Sequence, residues 1–446
     1  MNNPTRQQFT QMTTRRDFLK ASAVAGGGML LAPLDAARFA HAAGNDEIKI
    51  ALIGCGGRGT GAAINALKNA AHANVKLVAM ADMFGDHIEA KLEILRKTLA
   101  AQVDVPPERR FAGFDAYQKA IDCGVDMVLL CSPPGFRPMQ FEAAVKAGKH
   151  VFMEKPVAVD APGYRRIKAA NEEAKRKNLM VAVGHHLRHG ATHREVIKQI
   201  HDGLIGDLTY TRAYFNTSGI WNRERKPGMT EMEYQVNNWY HFVWLSGDHL
   251  VEQHVHGVDI CNWFSKDHPV EAVGMGGRQV RVAKGIGELF DHFALQFTYA
   301  NGLRSFSECR HMPGCWASCA HHAHGTKGYV SFDYADNAII CLAGREEQHV
   351  KHTGAEGHQA EMDDLFAALL AGKPYNEADE AADSTMSAIL GRMATYSGKL
   401  VKWNDAIASQ LDLAPSDLTS WDRPPKSHPL PDGSYACAVP GVTKAI

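Results

Sequence analysis

The 446-residue chain lacks an excess of either charge: 48 Lys and Arg face 49 Asp and Glu, a formal net charge of −1. That balance leaves no basic surplus for nucleic acid and no like-charge run for a membrane surface. Internal repeats and low-complexity tracts are missing too. So are long hydrophobic runs: the apolar stretch Ala21 to Ala32 is interrupted by three glycines and is too short for a membrane span. Cysteine is sparse and odd in number, nine residues spread from Cys55 to Cys437. A chain with room for two self-sufficient cores needs no disulfide framework. The nearest approach to a metal cluster is Cys309, Cys315, Cys319, His321, His322 and His324. It has no CxxC spacing and lies in strand-like sequence, so these read as sheet and loop side chains and no metal is assigned.

The first forty-odd residues read as an address rather than as fold. Thr14-Arg15-Arg16-Asp17-Phe18-Leu19-Lys20 matches the twin-arginine export signal, in which two arginines precede x-Phe-Leu-Lys. The apolar stretch that follows suits a signal-peptide core, and Ala40-His41-Ala42 supplies a small-x-small cleavage pattern. Residues 1–42 are assigned to the signal, with the mature chain beginning near Ala43.

Glu47 to Ile53 is a short, largely apolar run, followed by Gly54-Cys55-Gly56-Gly57-Arg58-Gly59. A G-x-G-x-x-G is weak evidence alone. Here it follows a strand-like run and opens a helical one, Ala62 to Ala71. The glycines permit a tight turn and close approach of a pyrophosphate, whose charge would sit at the helix N-terminus. A second strand, Val75 to Ala81, ends at Asp82, an acid able to bind an adenine ribose and repel a 2′-phosphate, which favours NAD over NADP. Asp126 to Cys131 is a third strand with Ser132-Pro133-Pro134 as its exit loop. The helix Phe141 to Ala147 leads through Gly148 into the strand His150 to Met153. This alternation predicts an α/β fold with a doubly wound parallel sheet.

Glu154-Lys155-Pro156 follows that last strand. The segment Ala147 to Pro156 resembles the AGKHV-x-x-EKP signature of the Gfo/Idh/MocA family, the glucose-fructose oxidoreductase and inositol dehydrogenase superfamily. With Gly54 to Gly59, Gly325-Thr326-Lys327-Gly328 and a C-terminal helical region, the likeness covers nearly all of residues 47–405. The resemblance implies a Rossmann domain followed by an α+β domain with a large open, mainly antiparallel sheet. Sugars or polyols would bind between the two, near the nicotinamide, and copies would associate through the open sheet. The cofactor set is then Gly54, Gly56, Gly57, Arg58, Gly59, Asp82, Ser132, Pro133, Glu154, Lys155 and His186, with Lys155 beside the nicotinamide and the reacting hydroxyl. The family's D-x-x-x-H-x-x-D motif falls on Glu252 to Asp259: His256 matches the histidine, Asp259 the final acid, and Glu252 replaces the first aspartate.

These residue types suit oxidation of a secondary alcohol. A histidine of near-neutral pKa can take the O–H proton while hydride leaves carbon, and a lysine ammonium can stabilise alkoxide character. Glu252 could set the orientation or charge of the lysine–histidine pair, and its i to i+4 spacing from His256 would place both on one helix face. Motif register, rather than proximity, separates His256 from His241, His249 and His254. Arg137 stands where the family often has a histidine, and Gly184 to His189 occupies the place of a G-x-x-x-R segment, which makes His186 and Arg188 cofactor or sugar contacts. Asn237 to Phe242, Tyr240 included, reads equally as a sugar-binding stretch or as an ordinary loop with core aromatics. The substrate set is Arg188, Tyr240, His256 and Asp259.

Strands resume between Ile205 and Phe215, and Ala300-Asn301-Gly302 signals a hairpin. Helices return over His358 to Ala371 and Glu380 to Lys399, and from Pro415 onward the chain reads as an irregular tail packed on the surface. The division drawn is 43–180 for the NAD-binding domain, 181–405 for the substrate domain and 406–446 for the tail. Export bears on mechanism, because a periplasm-like compartment keeps no free nicotinamide pool. NAD should therefore be tightly held and regenerated within each cycle. Two chemistries meet that condition: an oxidoreductase with two sugar-type substrates, or an NAD-dependent glycosidase of the α-N-acetylgalactosaminidase kind. Retention of Lys155 favours the first. A non-catalytic sugar-binding protein is the third reading. The partners expected are a sugar, polyol or glycoside and the twin-arginine export machinery, with no nucleic acid.

Overall fold

The computed structural model describes residues 47–414 and 418–445, so the twin-arginine segment lies outside the described residues. The protein is α/β, built on two sheets. The first contains β1 (Ile48–Ile53), β2 (Val75–Asp82), β3 (Arg110–Ala112), β4 (Met127–Leu130), β5 (His150–Met153) and β6 (Val181–Val183). Their order is β3-β2-β1-β4-β5-β6, and every pairing is parallel. Strands such as Met127-Val128-Leu129-Leu130 are buried along their whole length because helices cover both faces. The order reverses between β1 and β4, which opens a crevice at their carboxyl ends, where ligands of such sheets bind.

The second sheet has nine strands: β7 (Leu208–Thr217), β8 (Pro269–Gly277), β9 (His292–Tyr299), β10 (Arg304–His311), β11 (Ser318–Gly325), β12 (Gly328–Asp333), β13 (Ala338–Leu342), β14 (Gln348–Val350) and β15 (Val401–Lys402). All pairings are antiparallel except β7 with β10. Along β9, Phe293, Leu295 and Phe297 point inward while Ala294 and Gln296 point out, the period of a half-covered sheet. The outer face shows Val273, Met275, Phe306 and Tyr329 to solvent.

Several boundaries differ from the sequence reading. The first helix, α1 (Gly57–Leu67), starts inside the glycine loop and stops four residues before Ala71. It stops because the Asn69 side chain donates to the carbonyls of Ala66 and Ala73 and accepts from Ala73 N–H, closing a turn. The helix placed from Phe141 begins at Arg137, with Pro138 in its first turn. The division after residue 180 falls one strand early, since β6 completes the first sheet.

The two halves are threaded through one another. Val181 N donates to Tyr375 O and Glu377 N to Val181 O, both at 2.9 Å, so a later segment borders β6. Met362, Leu365 and Phe366, from the helix α2 (Gly357–Leu370), enter the core of the first sheet. The tail returns as well: Trp421 stacks on Phe84 with ring centroids 5.2 Å apart, and Tyr435 is buried against Phe242.

Candidate active site

Gly54 follows β1 with φ +100°, and a Cβ there would lie 2.4 Å from Ser132 N. A Cβ on Gly59 would lie 2.0 Å from Gly54 O. These two glycines let strand, loop and helix close on one another. Gly56 and Gly57 differ: nothing lies within 4 Å of a Cβ at either position. Their freedom faces a cavity of about 370 Å3 that they line together with Arg58, Asp82 and Phe114. Gly56 is the N-cap of α1 and offers no side-chain acceptor, and the first turn holds no acid. Backbone N–H groups therefore border the cavity without a resident anion. Asp82 stands at the other side, its carboxylate accepting from Cys55 N at 2.7 Å and Phe84 N at 3.0 Å. An uncapped helix start, open glycines and an acid at the end of β2 fit a dinucleotide.

A second cavity of about 390 Å3 shares the walls Arg58, Cys131, Ser132 and Trp239 with the first. Lys155, leaving β5, projects into it. Its Nζ donates to Glu252 Oε1 at 3.1 Å and to the Glu252 carbonyl at 2.5 Å. His256 lines the same cavity, and its Nδ1 finds no hydrogen-bond partner among the described residues. Burial pushes its pKa well below the ordinary histidine range, and the charge of Lys155 and the neighbouring His186 and His185 rings push the same way. The imidazole is thus neutral at pH 7.

Glu252 and His256 do not share one helix face. Glu252 ends a short helix, His249–Glu252, and His256 sits in the first turn of the next, Val255–Ser265. The helix breaks because His254 turns inward to Ser307 Oγ at 2.5 Å and its N–H reaches back to His249 O. Glu252 consequently meets Lys155, while His256 faces the His186 ring, centroid to centroid 4.8 Å.

The other sequence candidates divide. Ser132 and Glu154 line the second cavity with Lys155 and His186, and Pro133 lines the first. Arg58 Nε donates to Glu154 Oε1 at 2.5 Å. Burial raises the Glu154 pKa, but Arg58 and Lys155 outweigh it and hold the carboxylate ionised. Glu361 lies 3.6 Å from Arg58, and burial and the Glu154 charge push its carboxyl well above the usual carboxylate range, so the closer, hydrogen-bonded partner of Arg58 is Glu154. Arg188 and Asp259 do not line either cavity described; they grip each other in a bidentate pair at 2.8 and 2.9 Å. Tyr240 is buried behind Trp239 and stacks near His311, as a core aromatic does.

Sequence reasoning missed three contributors. Glu361 and His358 come from α2, and His358 stacks on His186 with centroids 3.9 Å apart. Tyr334, beyond β12, adds a wall to the second cavity. None sits in a motif, and each reaches the cleft from far along the chain. Arg137, noted only as a departure, is fully buried and donates to the carbonyls of Ser132 and Pro156, tying together the loops that carry Ser132 and Lys155. The cysteine and histidine tract lies on β10, β11 and the loop between them, with His321 packed on Tyr334.

A dinucleotide cleft at the switch point of a Rossmann sheet, sharing walls with a lysine–histidine cavity, defines a class: two-domain oxidoreductases of the nicotinamide type. Family models agree. The model described as "Oxidoreductase family, NAD-binding Rossmann fold" matches residues 48–185, and that for the GFO/IDH/MocA C-terminal domain matches 193–331. The chain belongs to the GFO/IDH/MocA oxidoreductase family. A twin-arginine translocation signal model matches residues 12–32. An uncharacterised oxidoreductase of Streptococcus pneumoniae is 25% identical over 56% of this chain and 65% of its own length, so the chain spans just under two thirds of that relative. Inositol 2-dehydrogenase of Rhizobium meliloti is 23% identical over 64% of this chain and 75% of its own. An aldose-aldose oxidoreductase from Caulobacter crescentus, solved with glycerol, has the same fold at a TM-score of 0.64 and 19% identity, covering 80% of this chain and 100% of that one. No helix of the described residues is long and apolar enough to cross a membrane.

Proposed function

We propose that this protein moves a hydride between a secondary hydroxyl of a sugar or polyol and a tightly bound nicotinamide, NAD in preference to NADP. The observation that carries the reading is Lys155, held by Glu252 in a cavity that it lines with His256 and that shares walls with the glycine-lined cleft. When bound, the nicotinamide supplies a hydride acceptor. The chain's residues do the rest. Gly56, Gly57 and the start of α1 would hold the pyrophosphate, and Asp82 the adenine ribose. Lys155 Nζ would hold the reacting oxygen and stabilise negative charge on it. His256 would accept the hydroxyl proton, becoming more basic as alkoxide charge offsets that of Lys155. The twin-arginine segment supports an exported, periplasmic site of action with the cofactor loaded before export. The apolar outer face of the second sheet, Met275 77% exposed and Phe306 40%, supports a homo-oligomer.

The test uses protein with its export signal processed. Bound nicotinamide is released and identified, and the protein is then incubated with sugars, polyols and aryl glycosides without added NAD. Net reduction of the bound cofactor, reversed by a second carbonyl compound, is the expected result. Aglycone release without net redox change would make the enzyme a glycosidase. A protein that neither holds nor binds nicotinamide sinks both.

A further inference from the structure

We propose that Leu418, in the adenine-side wall of the cleft, and Trp421, packed behind the Phe84 and Phe114 of that wall, both in the tail beyond the family-model matches, act as a latch that sets how fast the dinucleotide leaves. The inference rests on reading that cleft as the cofactor site. Asp82 marks the ribose position, so the base would lie just beyond it, between the loops carrying Phe84 and Phe114, which both line the first cavity. Trp421 closes those loops from outside. Its ring stacks on Phe84 at 5.2 Å and 23°, and tilts against Phe114 at 4.7 Å. Leu418 lines the cavity itself. The wall therefore suits a flat, weakly polar heteroaromatic such as a purine, set between aromatic faces.

What makes this a latch is its anchorage. Beyond Trp421 the tail is fastened to the second half of the molecule. Ser427 Oγ donates to Glu288 Oε2 and Gln235 Nε2 to Ser427 O, both at 2.7 Å. Arg278 donates to Tyr435 O at 2.8 Å, and the buried Tyr435 hydroxyl donates to Glu231 Oε1 at 2.5 Å. The indole thus bridges from one half onto the nucleotide loops of the other. Release of the base requires the Trp421 contacts with Phe84 and Phe114 to open, which puts their loss into the dissociation barrier.

The experiment loads full-length protein with NADH, chases it with excess NAD and follows the loss of bound nicotinamide fluorescence. Trp421→Ala should release NADH about tenfold faster, and Trp421→Phe, which keeps an aromatic face, should stay close to the parent rate. Leu418→Ala, a smaller change to the same wall, should also accelerate release and carries the test if Trp421→Ala does not fold. Release within twofold of the parent in a folded Trp421→Ala, or in Leu418→Ala where that variant alone folds, overturns the latch. Parent protein that binds no NADH overturns the cofactor-site reading beneath it, a distinct failure.

Discussion

Asp259 gives both carboxylate oxygens to Arg188, and one also accepts from Ser384 Oγ at 2.7 Å. Burial alone would raise its pKa; Arg188 and His185 outweigh burial and lower it to about 2. The stabilisation this implies is present above the unfolded carboxylate pKa of about 3.9 and is lost as pH falls through about 2. Asp259→Asn leaves a largely buried guanidinium short of its main counter-ion and should cost about 3 kcal/mol in a urea titration. Loss of sugar affinity at unchanged stability would instead return Asp259 to the substrate. Lys155→Met should lower turnover at least about a hundredfold while nicotinamide stays bound at parental stoichiometry, measured on the extracted cofactor. Lys155 and His256 were legible in the sequence because each sits in a short motif whose register is local. The pairing of Arg58 with Glu154 was not, since 96 residues separate them and only the fold brings them together.

At the scale of elements, the glycine loop separates two jobs that the motif merges. Gly54→Ala forces a Cβ to 2.4 Å from Ser132 N at a φ of +100°. The variant should be destabilised by several kcal/mol, on the order of 3, with a lower thermal midpoint. Gly56→Ala has open space and should leave the midpoint within a few degrees while weakening NAD binding in calorimetry, because the new methyl group faces the cavity. Equal damage to stability from both would refute the division. The strand pattern of both sheets was readable, since apolar runs and alternation are local. The break between Glu252 and His256 was not: spacing i to i+4 implies a continuous helix unless a distant hydrogen-bond partner, here Ser307, draws His254 out of it.

For the whole molecule, histidine dominates the response to acid. Burial lowers the pKa of His254 to about 3, of His311 to about 3, and of His241 and His322 to about 4. His185, His186, His249, His256 and His321 shift in the same direction, while His87 and His189 rise through partners at Asp82 and Asp364. A histidine held below its unfolded pKa of about 6.5 leaves the unfolded chain with more protons at lower pH, so stability falls as pH drops below 6.5. His254 alone should account for about 2 kcal/mol between pH 7 and pH 5. Denaturation midpoints measured across that range should fall steeply. A flat profile would show that the buried rings titrate as they do in the unfolded chain.

The threading of the two halves also fixes an order in time. The core of the first sheet is incomplete without Met362, Leu365 and Phe366, and the edge beside β6 waits for residues 375–377. At about 5–20 residues per second, those groups leave the ribosome roughly ten to forty seconds after β6. Through that interval the nucleotide-binding half is a partner-seeking intermediate with an open seam. The protein is not divisible after β6 into two independently folding pieces, and a complete nucleotide-binding half waits for residues 362–377 to be made.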